Sequence, residues 1–197
     1  MVKLCAMLRL FAALPVPEEI SAPLRMLQKD LPGARWRPPE NFHITLCFYG
    51  EASHDTARDL DELLGEIGAP VLELALEGAG WFGRREPAAV WARVRENDEL
   101  RALASACERA ARRLGLQPER RPYTPHITLA YCHATPLEDA RAWSERHQTF
   151  QSEPWLAGGF HLYSSRPGAS GPSRYVAEAD YPLSGPLSGF TAPEGMY

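Results

Sequence analysis

The tetrapeptide His-Ile-Thr-Leu occurs twice in this chain, at 43–46 and at 126–129, and each copy stands inside a longer echo. Arg37-Pro-Pro-Glu-Asn-Phe-His-Ile-Thr-Leu-Cys-Phe aligns with Arg121-Pro-Tyr-Thr-Pro-His-Ile-Thr-Leu-Ala-Tyr after a single-residue gap. A helical pattern precedes each copy and another follows it. Two copies are too few for a solenoid, so the repeat predicts two related lobes with pseudo-twofold symmetry, each contributing one equivalent strand. A length of 197 residues suits one large domain or two small lobes sharing a core.

The remaining pattern fits that frame. A first helix is expected after Pro17, with Ile20, Leu24, Leu27 and Leu31 at helical spacing and Pro23 delaying or kinking it. A second begins at Ser53 as N-cap and carries Leu60, Leu63, Leu64 and Ile67. A third runs from Asp98 to Leu114 and stops at Gly115. The fourth is expected to start with Thr135 as N-cap, Pro136 at the first position and Glu138 completing a capping box. Strand-like runs lie at 3–14, 42–49, 71–82, 88–95, 123–132, 155–165 and 174–181, with a hairpin around Arg84-Arg85-Glu86-Pro87. Interleaved helices and hairpins predict an α+β fold over a doubly wound parallel sheet. Residues 1–183 are expected to form a single bilobal domain, and the Gly-, Pro- and Ser-rich stretch 184–197 a flexible C-terminal tail.

Bulk properties narrow the function class. The formal charge of −4 gives no global basic field for long nucleic acid, so any such substrate would be met by local arginines over a few nucleotides. Cys5, Cys47, Cys107 and Cys132 are far apart and form no CxxC pair, which fits reduced thiols better than a zinc ribbon or a disulfide framework. Arg9 interrupts the N-terminal apolar run, and no stretch approaches the roughly 20 apolar residues of a membrane span. The expectation is a cytoplasmic protein with no membrane association and no obligatory protein partner.

A bare His-x-Thr is uninformative here, because five of the six histidines satisfy it. Context separates them: His54, His133 and His147 sit at helix openings or ends, whereas His43 and His126 lie in apolar-alternating strands. Alternation puts His43 and Thr45 on one face, with Ile44, Leu46 and Phe48 on the other. The same rule separates His126 and Thr128 from Ile127, Leu129 and Tyr131. Two imidazoles with ordinary pKa near 6.5 suit phosphodiester hydrolysis, one neutral to take a proton from water and one charged to give a proton to the leaving oxygen. Hydroxyls of Thr45 and Thr128 would donate to the non-bridging oxygens. Such a cradle needs no metal or other cofactor. A metal site is the alternative, but His43 and Cys47 are four residues apart, roughly 13 Å along a strand and too far for common ligation. The same objection applies to His126 and Cys132.

These motifs resemble those of the RNA 2′,3′-cyclic phosphodiesterases, also called 2′-5′ RNA ligases, within the 2H phosphoesterase superfamily. The matching stretches are Arg9-Leu-Phe-Ala-Ala-Leu-Pro, Arg35-Trp-Arg-Pro-Pro-Glu-Asn-Phe-His-Ile-Thr-Leu-Cys-Phe-Tyr-Gly and Ala89-Val-Trp-Ala-Arg-Val. Two more follow, Arg121-Pro-Tyr-Thr-Pro-His-Ile-Thr-Leu and Phe160-His-Leu-Tyr-Ser-Ser-Arg, so that the likeness spans about residues 8–183. The resemblance implies a bilobal fold with pseudo-symmetric lobes, antiparallel-rich sheets lining a central cleft, and helices outside. It implies hydrolysis of RNA 2′,3′-cyclic phosphate ends to 2′-phosphomonoesters, with RNA ends or small cyclic nucleotides as substrates. Reversal would join such an end to a 5′-hydroxyl. It also makes His43 the proton donor and His126 the proton acceptor, whereas the chemical argument says only that one is acid and one is base.

One departure stands out. Many relatives carry an arginine three residues after the second motif's threonine, where this chain has Tyr131, expected from alternation to be a core aromatic. Phe48 and Trp81 are candidates for stacking on a base, with core packing the expectation for both. Arg84 and Arg85, at the hairpin tip, are candidates for meeting RNA phosphate, a solvated turn being the equal alternative. The rival readings are a 2H phosphodiesterase acting on another cyclic phosphate, on a nucleotide or ADP-ribose derivative, and a non-catalytic RNA-end-binding module. The second would not need both histidines.

Overall fold

The computed structural model describes residues 7–118, 121–166 and 173–184. Cys5, the first residues of the 3–14 run and the tail beyond Ser184 lie outside them. Among the described residues the chain order is β1 (Leu8–Pro15), α1 (Glu18–Arg25), β2 (Ala34–Trp36), β3 (His43–Ala52), α2 (His54–Gly65), β4 (Leu72–Leu74), β5 (Leu76–Gly83) and β6 (Pro87–Val94). It continues through α3 (Asp98–Arg113), β7 (His126–Cys132), α4 (Leu137–Arg146), β8 (Trp155–Ala157), β9 (Gly159–Arg166) and β10 (Arg174–Pro182).

The strands form an antiparallel sheet in the order β10-β9-β1-β3-β7-β6-β5, with β2 added against β7 and β4-β8 as a separate two-stranded piece. The fold is α+β and bilobal. β3 is flanked by β1 on its outer side and β7 by β6, and the halves meet where Ile44 pairs with Ile127. Helices α2 and α3 back the β1–β3 half, and α4 backs β5 and β6. Inward faces close both layers: Leu100, Leu103, Cys107 and Ala111 of α3 are buried, as are Ile44, Leu46, Ile127 and Leu129. Burying each large aliphatic side chain contributes roughly 1.5–3 kcal/mol. Among the described residues no helix is long and apolar enough to cross a membrane.

Several local expectations hold. Ser53 caps α2 by accepting from the Thr56 amide, and α3 ends before Gly115, whose φ of +74° only glycine adopts without strain. The β5–β6 hairpin turns at Arg84–Glu86. Others are corrected. Thr135 does not cap α4: its hydroxyl donates to the Pro32 carbonyl, and the cap position is Pro136 with no side-chain bond. Helix α1 accommodates Pro23 but ends at Arg25, so Leu27 and Leu31 are buried from the turn beyond it. The 71–82 and 155–165 runs each divide, at Ala75 and Gly158, because the two parts pair with different strands. β7 begins only after Pro125, which has no amide to donate. The three-residue β2 had no periodicity to reveal it.

Candidate active site

β3 and β7 lie side by side at the centre of the sheet and share the single partnership Ile44↔Ile127. Continuing that antiparallel register one residue each way sets His43 across from Thr128 and Thr45 across from His126. All four are half-buried and on the face opposite Ile44, Leu46, Ile127 and Leu129. They form a rectangle with histidines on one diagonal and threonines on the other. Diagonal neighbours on such a pair are roughly 7–8 Å apart at the backbone, a span that brackets one phosphate group.

The rings are anchored alike. His43 Nδ1 is 2.7 Å from the Asn41 carbonyl and His126 Nδ1 is 2.6 Å from the Thr124 carbonyl. A carbonyl oxygen only accepts, so each Nδ1 carries its hydrogen and each Nε2 is left to exchange a proton. The Pro39–Asn41 turn presents the first carbonyl, and Thr124 stands just before Pro125. Both rings sit among aromatics: Phe11 and Tyr175 at 5.0 and 5.1 Å from His43, Phe82 and Trp91 at 4.8 and 5.8 Å from His126. Burial lowers the His43 pKa to about 4, with the Arg37 charge adding to the effect and the Asn41 bond opposing it. Burial likewise lowers that of His126. At neutral pH both imidazoles of the free protein are therefore neutral.

Just past each motif the alternation breaks. On the β1–β3 ladder Ala12 pairs with Cys47 and Ala13 with Thr45, skipping Leu46. On the β6–β7 ladder Val90 pairs with Ala130 and Trp91 with Thr128, skipping Leu129. These matching β-bulges reverse the faces of the residues that follow. Consequently Phe48 and Tyr131 are exposed (38% and 49%) and turned to the histidine face, not to the core as strict alternation predicts. Cys47 is buried on the other side, away from His43. Trp81 is partly buried against the core, in keeping with its expected packing.

Beside His43 opens a cavity of about 410 Å³, lined by Arg9, Phe11, Arg37, Thr45, Phe48, Tyr131, Ser165, Ser173 and Tyr175; His126 and Thr128 are not among its walls. Arg9 stands 5.0 Å over the Phe48 ring. No local pattern in the sequence marks Arg37 or Tyr175 as part of a site, although Arg37 opens the first copy of the repeat. Arg84 and Arg85 are exposed at the hairpin tip, two and three residues beyond Phe82, and do not line the cavity. Among the described residues no group of three or more His, Cys, Asp or Glu is placed to hold a metal ion.

The 2′-5′ RNA ligase superfamily model matches residues 16–169. The chain belongs to this family. The RNA 2′,3′-cyclic phosphodiesterase of Escherichia coli is 36% identical over 126 residues, covering 61% of this chain and 70% of that protein. Its counterpart in Bacillus subtilis is 32% identical over 126 residues, with 61% and 69% covered. Among solved structures, E. coli LigT complexed with 3′-AMP superposes with a TM-score of 0.74 at 29% identity, over 91% of this chain and 100% of that one.

Proposed function

We propose that this protein hydrolyses RNA 2′,3′-cyclic phosphate ends to 2′-phosphomonoesters by acid–base catalysis between His43 and His126. The observation that carries the reading is the rectangle: two imidazoles on one diagonal, each with Nδ1 fixed and Nε2 available, and two hydroxyls on the other. In-line displacement needs a base and an acid on opposite sides of phosphorus, and the histidine diagonal supplies them. Water attacks phosphorus and gives its proton to His126 Nε2; the P–O3′ bond breaks, and O3′ takes a proton from His43 Nε2. Thr45 and Thr128 donate to the non-bridging oxygens from the other diagonal. The identity of the substrate rests on the relatives named above.

The cavity supports the direction of proton flow. The departing O3′ remains attached to its ribose, so the acid must stand on the side where the terminal nucleoside lies. The volume adjoins His43 and Thr45, whereas water on the His126 side needs little room. His43 must be charged to act as acid, yet burial disfavours that form. The phosphodiester's negative charge, brought within a few ångströms, opposes that shift and favours the imidazolium.

Product analysis on a dinucleotide with a 2′,3′-cyclic end tests the proposal. A 2′-phosphate product, formed equally well in EDTA, is expected. A 3′-phosphate product, or activity lost to EDTA and regained with zinc, would overturn it.

A further inference from the structure

We infer that Arg37 is a substrate-binding residue whose guanidinium receives the phosphate oxygens beside His43. Among the described residues it is the only charged side chain that is buried, at 7% exposed. Nη2 donates to the Tyr175 hydroxyl at 2.9 Å, and the guanidinium lies over the Tyr131 and Tyr175 rings at 5.4 and 5.3 Å. Among the described residues no carboxylate pairs with it, whereas the arginines that do form ion pairs, such as Arg25, Arg95 and Arg113, are exposed. Burying an unpaired cation is unfavourable unless an anion completes the site. Most of the five N–H donors of the planar fork have no acceptor among the described residues, and such a fork matches the oxygens of a phosphate.

Its mounting points the same way. The Arg37 amide donates to the Leu129 carbonyl at the β7 bulge, and Gln28 Nε2 donates to both the Arg37 and Leu129 carbonyls. The backbone is thus held on the strand of His126, while the guanidinium is tied to Tyr175 of β10 in the other half. Tyr175 also packs edge-on against His43 at 5.1 Å. Arg37 therefore crosses from one motif's strand to the other motif's histidine, and it walls the same cavity as His43 and Thr45. The ring of Tyr131, turned outward by the bulge, is the surface on which it rests.

This inference builds on the proposed reaction, and its test separates the two. Inorganic phosphate binding by calorimetry and turnover of 2′,3′-cyclic AMP are measured for the wild type, Arg37→Ala and Arg37→Lys. Arg37→Ala is expected to weaken phosphate binding and kcat/KM each by about tenfold or more, the scale of a lost charge-assisted bidentate contact. Arg37→Lys, which keeps the charge but loses the fork, should fall between. Free guanidinium at tens of millimolar should partly restore turnover in Arg37→Ala, an effect that a merely structural clamp between the halves would not show. Should Arg37→Ala fail to fold, Arg37→Lys and Arg37→Gln carry the same comparison. Phosphate bound as tightly by the folded variants as by the wild type, or no phosphate binding by the wild type at millimolar concentration, overturns the inference. Phosphate binding that depends on Arg37, without any hydrolysis of the cyclic nucleotide, leaves it standing and overturns the proposed reaction instead.

Discussion

The two halves of the site start from the same tetrapeptide and end in different surroundings. Both strands carry histidine and threonine on one face, both anchor Nδ1 on a carbonyl two residues back, and both bulge after the leucine. Around His43, however, stand Phe11, Tyr163 and Tyr175, the buried Arg37 and an open cavity. Around His126 stand Phe82 and Trp91, with the exposed Arg93 as its cross-strand partner on β6. The repeat makes the two strands alike, and the unrepeated flanks make their surroundings differ. Among the described residues the cavity opens on the His43 side and not on the His126 side, and the proposed direction of proton flow rests on that difference.

The largest expected effect tests that direction. His43→Ala and His126→Ala should each lower kcat on a 2′,3′-cyclic nucleotide by about 10²–10⁴-fold, the usual scale for a general acid or base. A p-nitrophenyl phosphodiester, whose leaving group departs without a proton, should recover most of the loss in His43→Ala and little in His126→Ala. Equal recovery in both would remove the asymmetry of roles. Next come the threonines. Thr45→Val and Thr128→Val should each cost about 1–3 kcal/mol in kcat/KM, the range of a hydrogen bond to a charged group. A variant with full kcat/KM would show that its hydroxyl does not face the phosphate.

These tests bear on residues that the sequence itself exposed, and the reason is physical. Period-two alternation and a duplicated motif are local signals, as are the Ser53 cap, the Gly115 stop and the hairpin at Arg84–Glu86. What stayed hidden depends on partners far along the chain. Nothing in Leu46-Cys47 or Leu129-Ala130 announces a bulge, so strict alternation puts Phe48 and Tyr131 on the wrong face. Thr135 had the sequence of a cap, but the Pro32 carbonyl, 103 residues away, takes its hydroxyl. Arg37 has the look of an ordinary motif start in the sequence, and only the distant Leu129 carbonyl and Tyr175 hydroxyl fix its path between the halves.

The pH dependence is a smaller but more diagnostic effect. Both histidines are lowered below their ordinary 6.5, His43 to about 4. The fraction of free enzyme with a charged acid therefore falls as pH rises through and beyond the lowered values. Above pH about 6.5, kcat/KM should drop about tenfold per unit, because it reports the free enzyme. The corresponding limb of kcat should lie at higher pH, since the bound phosphate favours the imidazolium. A kcat/KM that stays level to pH 8 would contradict the buried, uncharged pair.

The smallest expected effect separates the two histidines. Phe82→Leu removes the ring packed edge-on against His126, admits water and lets that pKa rise toward 6.5. If His43 is the acid, the rate well above both pKa values depends on how readily His43 takes a proton, and the ionisation of His126 does not enter. At pH 8, kcat/KM should then change by no more than about twofold, while below pH 6 it should decline as His126 becomes protonated and unable to act as base. If the roles are reversed, the same substitution makes the acid easier to charge, and kcat/KM at pH 8 should rise several-fold. A rise at pH 8 would thus reassign the proton donor while leaving the two-histidine cradle intact.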